Sequence, residues 1–358
     1  GANYRENAFV VTKLATRSAI DRCTESEFWL KSSLPACHSS HNRHLTKLFK
    51  RRQILSPTTN SVTNSERDEY SSILSDTRRR FLVSLGVASI TTLAKAQNSY
   101  ATITDPKTGI SFPSEGEIEN SIPSSWDDSD NPFESAGKEA FARLDSSPDS
   151  IFYSDPRFVE HVDTNIVQTM TSYLSDGGWA LRPGDEVLDL CSSWTSHIDV
   201  KAKEKLGLKR VSGLGMNTEE LKANTVLTDW VVKDLNTKEV KLPYDDSSFD
   251  VVLCQLSIDY LTHPLEVMQE VGRVLRPGGR VVILFSNRLF LSKAVGLWTG
   301  ADDVDHAYLV GSYLHYSKGG FENIKAQDLS TRKGKGKDRP VVGDPLYAVT
   351  AIRSDKTM

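Results

Sequence analysis

Hydrophobic positions gather in short runs in the second half of the chain. Residues 187–190 and 249–254 are apolar runs with the length of buried strands. Residues 264–275 instead place apolar side chains at three- and four-residue steps, which is typical of an amphipathic helix. Proline and glycine at 276–279 end that helix, and residues 281–285 form another apolar run. Strand, helix, turn and strand in this order predict a right-handed βαβ unit in an open α/β sheet.

The segments on either side extend this pattern. Residues 152–174 carry one apolar stripe at helical spacing, so we predict a helix that enters the domain. Arg157 and His161 are four residues apart and would share a face of that helix. The other predicted elements are strands at 210–214 and 231–236 and a helical, aromatic-rich insertion at 289–320.

Two strings give the chain a resemblance to a known family. LPYDDSSFD at 242–250 and RVLRPGG at 273–279 stand in the order and spacing of class I, S-adenosylmethionine-dependent methyltransferases of type 11. DLCSSWTSH at 189–197, with FYSDPRFVEHVD at 152–163, resembles a subgroup of methyltransferase-like proteins from plants and algae. The resemblance covers residues 134–352. It implies a doubly wound, mostly parallel seven-stranded sheet, closed by antiparallel strands at 321–329 and 346–353, with S-adenosylmethionine as the cofactor.

The resemblance also implies a cofactor site at the carboxyl ends of the strands, where such sheets bind ligands. The glycine-rich turn of the family is altered here, because Cys191, Ser193 and Thr195 stand at its three glycine positions. Cysteine and serine are small, so we expect the turn to form if its dihedrals avoid positive φ. The residues implied to bind the cofactor are Asp189, Cys191, Ser192, Ser193, Gly213, Met216, Asn217, Asp234, Leu235 and Gln255.

Three of these positions carry specific expectations. Gly215 stands where the family has an acidic ribose ligand, so Asn217 would offer a weaker hydrogen bond to ribose. Alternatively, Asn217 only caps the next helix, with Glu220 as its capping-box partner. Asp234 matches the acidic residue near the adenine amino group, where a carboxylate accepts a hydrogen bond. The alternative for Asp234 is an ordinary turn aspartate.

The acceptor side is less specific in the sequence. Tyr260 and His161 are the candidates for catalytic roles, since a tyrosine or histidine can orient an acceptor hydroxyl or take its proton. Further acceptor-side candidates are Tyr153, Arg157, Asp163 and Asn287. A solvated or capping cluster of Arg157 and His161 is an equally weighted alternative. The acceptor is expected to be a small molecule, and no residue pair identifies it.

Composition narrows the function classes. The net charge is −4, and residues 1–58 hold ten Lys and Arg against four Asp and Glu, so the remainder is acidic. An acidic body argues against nucleic-acid binding through phosphate neutralisation. Four cysteines are too few for a disulfide framework, so Cys191 and Cys254, on neighbouring strands, are expected to be reduced. The histidine spacing fits no zinc pattern, and no metal is expected.

The first third of the chain predicts targeting segments. Residues 1–76 are polar and basic, as in an organellar transit peptide, although a disordered tail is the alternative. Residues 77–96 contain TRRRFL, an apolar run and AKA, which match a twin-arginine signal with a cleavage site. Its apolar run is shorter than the ~20 residues of a membrane helix, so no stable transmembrane segment is expected after processing. A short core helix is the alternative.

This arrangement resembles the two-stage import signal of thylakoid lumen proteins, and it predicts a chloroplast location. An acidic, Ser- and Pro-rich linker at 97–133 and a methyltransferase-like domain at 134–358 complete the predicted organisation.

Two functions follow from the sequence. The first is an S-adenosylmethionine-dependent methyltransferase. The second is a catalytically silent methyltransferase fold used for binding or assembly in the chloroplast, because the glycines and the ribose acid are replaced.

Overall fold

The computed structural model describes residues 103–104, 111–129, 131–175, 178–335 and 339–355. The predicted transit peptide and twin-arginine segment lie outside these residues. The strands are β1 (Ile103–Thr104), β2 (Ser111–Phe112), β3 (Glu186–Ser192), β4 (Arg210–Gly215), β5 (Asp229–Val232), β6 (Phe249–Gln255), β7 (Leu275–Phe285), β8 (Phe321–Asp328) and β9 (Tyr347–Arg353). The α-helices are α1 (Asp149–Phe152), α2 (Thr164–Ser175), α3 (Val200–Leu206), α4 (Thr218–Ala223), α5 (Pro264–Val274), α6 (Gly296–Thr299) and α7 (Asp303–Tyr316).

The large sheet has seven strands in the order β5-β4-β3-β6-β7-β9-β8. The pairs from β5 through β7 are parallel, and β9 is antiparallel to both of its neighbours. The predicted mostly parallel, doubly wound α/β fold is therefore confirmed. Because strand order reverses between β3 and β6, the carboxyl ends of β3, β4, β5 and β6 define the edge where such sheets bind ligands.

Apolar side chains pack against both faces of this sheet. Leu188, Leu190 and Val252 belong to one buried cluster, and Val187 and Val251 to another. Successive strand residues point to opposite faces, so an apolar run is buried on both sides only when each face is covered. The covered faces explain why the central strands read as continuous apolar runs.

The helix predicted at 152–174 is wrong over its first half. Helix α1 ends at Phe152, residues 153–163 are irregular, and α2 begins only at Thr164. Pro156 lies inside the irregular segment, where proline removes a backbone donor and disfavours helix in the preceding residue. Asp163 accepts a hydrogen bond from the backbone N–H of Ile166 at 3.0 Å, so it restarts the helix as a cap.

Part of the predicted linker packs on the domain. Ile118 is fully buried in the main core cluster. Trp126 stacks on His315 of α7 with 4.9 Å between ring centroids, and the Tyr316 hydroxyl donates to the Asp127 carbonyl at 2.9 Å. Residues 111–129 therefore belong to the folded unit, although polar composition assigned them to a linker. Within the described ranges, no helix has both the length and the apolar character to cross a membrane.

We predict that Ile118→Ala lowers the free energy of unfolding by about 2–5 kcal/mol, because the substitution leaves a cavity in the core. Ile151→Ala is the matched control, since that side chain is 64% exposed and Ile118 is 0% exposed. The control should change stability by less than about 0.5 kcal/mol. Denaturant unfolding measures both changes. Equal effects of the two variants would show that the segment before residue 130 does not pack on the core.

Candidate cofactor and acceptor cleft

A cleft with a cavity volume of about 130 Å³ opens to solvent at the carboxyl edge of the sheet. The lining residues are Asp149, Tyr153, Arg157, His161, Cys191, Ser192, Ser193, Leu214, Gly215, Met216, Asn217, Glu220, Lys233, Asp234, Leu235, Asn236, Ser257, Tyr260, Leu261 and Phe290. The floor comes from the ends of β3, β4 and β5, and residues 149–161 cover one side.

The carboxyl end of β3 contains a left-handed residue that is not glycine, where the register with β4 shifts and the following turn begins. Cys191 has φ of 58°, so the turn forms although the condition of avoiding positive φ is not met. A non-glycine residue in this region costs about 1–2 kcal/mol. Ser193 and Thr195, at the other two glycine positions, are absent from the positive-φ residues of the described chain. The turn therefore needs glycine-like geometry at one position, and cysteine adopts it there.

The buried Asp189 side chain fixes this turn through hydrogen bonds. Its carboxylate is buried and accepts hydrogen bonds from the hydroxyls of Ser192 and Ser196, both at 2.6 Å, and from Nε2 of Gln255 at 3.1 Å. Burial raises the pKa of Asp189, while these hydrogen bonds oppose the shift. Asp189 and Gln255 lie outside the cleft lining. They position the turn and do not face the cleft.

The end of β4 has no room for the acidic side chain that the family places there. A Cβ at Gly215 would overlap the carbonyl oxygen of Ser192, so no side chain fits there. The Asn217 side chain caps α4 by accepting from the N–H groups of Glu219 and Glu220 at 2.9 and 3.1 Å. The capping role of Asn217 is therefore real.

Glu220 departs from the expected capping box. One carboxylate oxygen accepts from the Ser193 hydroxyl and the other from the Arg157 backbone N–H, both at 2.7 Å. This places a carboxylate in the cleft lining beside the turn and the covering segment. Sequence reasoning missed it because the family's acid stands at the strand end. The sequence signal that could have identified it is a glutamate in the helix that follows the strand end lacking the acid.

The loop after β5 supplies Asp234, Leu235 and Asn236 to the cleft. One oxygen of Asp234 accepts from the Asn236 N–H at 2.8 Å, and the other has no partner among the described residues. Asn236 itself was missed by sequence reasoning. Its Nδ2 donates to Asp149 at 2.7 Å and to the Tyr260 carbonyl at 2.9 Å, so it ties three segments together.

Aromatic rings wall the acceptor side. Tyr260 and Phe290 lie with 5.9 Å between ring centroids, and the Tyr260 hydroxyl accepts from the Phe290 N–H at 2.9 Å. Phe152 packs edge-on against both Tyr153 and Phe290. Burial, and then the nearby Asp259, hold the pKa of Tyr260 well above its usual value. A neutral phenol of this kind orients an acceptor oxygen by hydrogen bonding.

His161 lies at the exposed rim, with its ring 5.0 Å from that of Phe290. Partial burial, and then the Arg157 guanidinium, lower the pKa of His161, so its imidazole is neutral at pH 7.

Behind Tyr260, the Asp259 side chain is 4% exposed, and its Oδ2 has no partner in the part of the chain that the structure describes. Burial raises the pKa of Asp259 to about 8.

Three other sequence candidates do not line the cleft. Gly213 lies against Leu227, Asp163 caps α2, and Asn287 follows β7 outside the lining. Trp194 also lies outside the lining, where its indole N–H donates to the Val159 carbonyl at 3.3 Å. Met216 borders the cleft without closing it.

The cleft residues fit S-adenosylmethionine. The Ser192 and Ser193 hydroxyl oxygens can accept hydrogen bonds where the family binds the methionine end, since their protons are donated to Asp189 and Glu220. Gly215 lines the cleft at the strand end, and Asp234 has a free oxygen for an amino group. Fewer than three His, Cys, Asp or Glu side chains converge at any point of the described ranges, so these form no metal site.

Comparisons with known proteins agree with this geometry. The sequence profile of a methyltransferase domain family matches residues 198–283. The ubiquinone/menaquinone biosynthesis C-methyltransferase UbiE of Ruegeria sp. strain TM1040 is 29% identical over 184 residues, covering 42% of this chain and 72% of that protein. The chloroplastic 2-phytyl-1,4-beta-naphthoquinone methyltransferase of Arabidopsis thaliana is 33% identical over 119 residues, covering 30% of this chain and 44% of that protein.

Among solved structures, an S-adenosylmethionine-dependent methyltransferase from Mesorhizobium loti has a TM-score of 0.36 and 16% identity, covering 52% of this chain and all of that one. The sheet order, the domain profile and the relatives define the class. The sheet order is that of a class I methyltransferase fold, and the domain profile and the relatives support an S-adenosylmethionine-dependent methyltransferase.

We predict that Gly215→Ala weakens S-adenosylmethionine binding at least tenfold and lowers the free energy of unfolding by about 1–3 kcal/mol. The added methyl group would overlap the Ser192 backbone and move the turn. Gly178→Ala is the matched control, because no atom lies within 4 Å of a Cβ built there. Calorimetric titration and denaturant unfolding measure the two effects. Parent-like binding by Gly215→Ala would contradict the proposed contact between strand end and turn.

Proposed function

We propose that this protein transfers the methyl group of S-adenosylmethionine to a small, hydroxylated aromatic acceptor of the quinol type. The observation that carries the proposal is the aromatic wall of Phe152, Tyr153, Tyr260 and Phe290 beside the cofactor cleft. Such rings favour a flat, apolar acceptor. The names of two relatives, a ubiquinone/menaquinone C-methyltransferase and a naphthoquinone methyltransferase, support the same acceptor class.

The residues have distinct proposed roles toward the cofactor. The Ser192 and Ser193 hydroxyls donate to Asp189 and Glu220, so their oxygens accept from the ammonium group at the methionine end. The remaining lone pairs of Glu220 accept from ribose in place of the missing strand-end acid. Asp234 accepts a hydrogen bond from the adenine amino group. Cys191, Met216 and Leu235 complete the walls. The cofactor supplies the methyl group on a sulfonium, and the protein aligns it with the acceptor and excludes water.

On the acceptor side, Tyr260 donates a hydrogen bond to an acceptor oxygen. Neutral His161 at the rim takes the proton that the acceptor loses. Tyr153 and Phe290 hold the ring plane. Both catalytic candidates contact the Phe290 ring.

A catalytically silent binding protein is the second candidate. It is favoured by the absence of a carboxylate at Gly215 and by the strained cysteine at the first glycine position. The two candidates differ in one measurable property. The enzyme must bind S-adenosylmethionine at micromolar concentration, whereas the silent fold need not bind it.

We predict saturable, micromolar binding of S-adenosylmethionine and S-adenosylhomocysteine by isothermal titration. Asp234→Ala should weaken both at least tenfold, because it removes a carboxylate that lines the cleft. Asp245→Ala is the control, since that exposed aspartate lies outside the lining. Transfer of label from methyl-labelled S-adenosylmethionine to chemically reduced 1,4-naphthoquinone then tests the acceptor class. No heat at millimolar cofactor would favour the silent fold, and binding without transfer would contradict the quinol proposal.

We also propose a chloroplast location, with delivery to the thylakoid lumen through the twin-arginine segment at 77–96. Support comes from the sequence pattern and from the chloroplastic naphthoquinone methyltransferase among the relatives. A thylakoid lumen address has a consequence for the chemistry. S-adenosylmethionine is made outside the lumen, so the enzyme would need imported cofactor.

Import into isolated chloroplasts tests this address. We expect two processing steps, and we expect Arg78→Lys with Arg79→Lys to stop the second one, because the twin-arginine pathway reads that pair. Arg51→Lys with Arg52→Lys is the matched control in the upstream segment. Unchanged maturation of the Arg78 and Arg79 double variant would contradict the twin-arginine proposal.

A further inference from the structure

Two of the three carboxylates in the cleft lining, Asp149 and Glu220, accept hydrogen bonds from the protein at both oxygens. Asp149 accepts two hydrogen bonds from Nη1 of Arg143 at 2.8 Å and one from Asn236 at 2.7 Å, and Lys293 lies 3.4 Å away. Both oxygens of Glu220 are occupied as well. Arg143 and Lys293 balance the charge of Asp149, whereas Glu220 accepts from neutral donors.

The cations of the cleft lining, in contrast, have no acidic partner among the described residues. Arg157 has five side-chain N–H donors, and only one hydrogen bond, from Nη2 to the Phe152 carbonyl at 2.8 Å, is formed with the described residues. Neither Arg157 nor Lys233 has an acidic side chain within ion-pair distance among those residues. A guanidinium beside a ligand cleft without an anionic partner is an available site for one.

The position of Arg157 is fixed by aromatic rings. Its guanidinium carbon lies 4.4 Å from the Phe152 ring centroid, 5.8 Å from that of Phe290 and 6.0 Å from that of Tyr153. Stacking on rings holds the guanidinium plane and leaves its edge free for in-plane hydrogen bonds. The Arg157 backbone N–H is also fixed, by Glu220 at 2.7 Å. The cation is thus held in place before any ligand arrives.

From this arrangement we infer that Arg157 is a binding subsite for a planar oxyanion, a carboxylate or phenolate, carried by an aromatic acceptor. The inference rests on the proposed function and narrows its acceptor class. The fork of an arginine matches a carboxylate through two parallel hydrogen bonds. The rings that hold the guanidinium also wall the acceptor side, so one flat molecule can contact both.

The methionine carboxylate of the cofactor is the other source of an oxyanion in this cleft. The Ser192 and Ser193 hydroxyls lie on the turn after β3, whereas the rings that hold Arg157 belong to the acceptor wall. A guanidinium that binds the acceptor therefore differs in a measurable way from one that binds the cofactor carboxylate. Loss of the guanidinium weakens binding of an anionic aromatic ligand and leaves cofactor affinity nearly unchanged.

Isothermal titration of the full chain with 1-hydroxy-2-naphthoate and with 1-naphthol tests the subsite. At pH 7 the first probe is an anion and the second is neutral. We expect the parent protein, saturated with S-adenosylhomocysteine, to bind the naphthoate about 10–100-fold more tightly than naphthol, as charge-assisted hydrogen bonds of this kind provide. Arg157→Gln should abolish that preference, and Arg157→Lys should restore only part of it, because lysine lacks the planar fork.

Arg182→Gln is the control, because it removes an exposed positive charge outside the cleft lining. Thermal unfolding of each variant checks that the fold is retained. Equal affinity of the two probes for the parent, or no binding of either, overturns the inference while cofactor binding still supports a methyltransferase. Weaker cofactor binding by Arg157→Gln with unchanged naphthoate binding also overturns it, because the guanidinium then serves the cofactor carboxylate.

Discussion

The site depends on the buried carboxylate of Asp189. Three hydrogen bonds, from Ser192, Ser196 and Gln255, converge on it and fix the turn that follows β3. Hydrogen bonds to a buried charged group are worth more than neutral ones, because the alternative is an unsolvated carboxylate. This network stabilises a turn in which Cys191 occupies the left-handed conformation that glycine adopts at lower cost. Ser192 and Ser196, which flank the glycine positions of the family, therefore supply donors that stabilise the turn around Cys191.

The cleft above that turn is assembled from distant parts of the chain. Glu220 joins the turn to the covering segment, and Asn236 joins that segment to the loops after β5 and β6. Each of these side chains satisfies backbone or side-chain groups that would otherwise be buried without a partner. The same contacts determine which groups remain open to a ligand. They occupy both oxygens of Asp149 and of Glu220 and leave the Arg157 guanidinium available.

The sequence predicted the sheet well because its signals are local. Apolar runs bounded by glycine and proline located the strands, and capping chemistry placed Asn217 at the start of α4. The covering segment was harder, since an apolar stripe at helical spacing continues through Pro156 although the backbone there is irregular. The positive φ of Cys191 could not be read from the sequence, because it depends on hydrogen bonds to Asp189 from residues after the turn. The cleft position of Glu220 depends on packing between helix α4 and residue 157, which no spacing rule reports.

The central claim is that a turn of cysteine and serines receives an adenosyl cofactor as a glycine-rich turn does. A crystal structure of the protein with S-adenosylhomocysteine tests it most directly. The account predicts ligand density between Ser193 and Asp234, with Cys191 still left-handed and the Asp189 hydrogen bonds intact. Density at another place, or a turn that collapses into the cleft and leaves it closed at saturating ligand, would contradict the account.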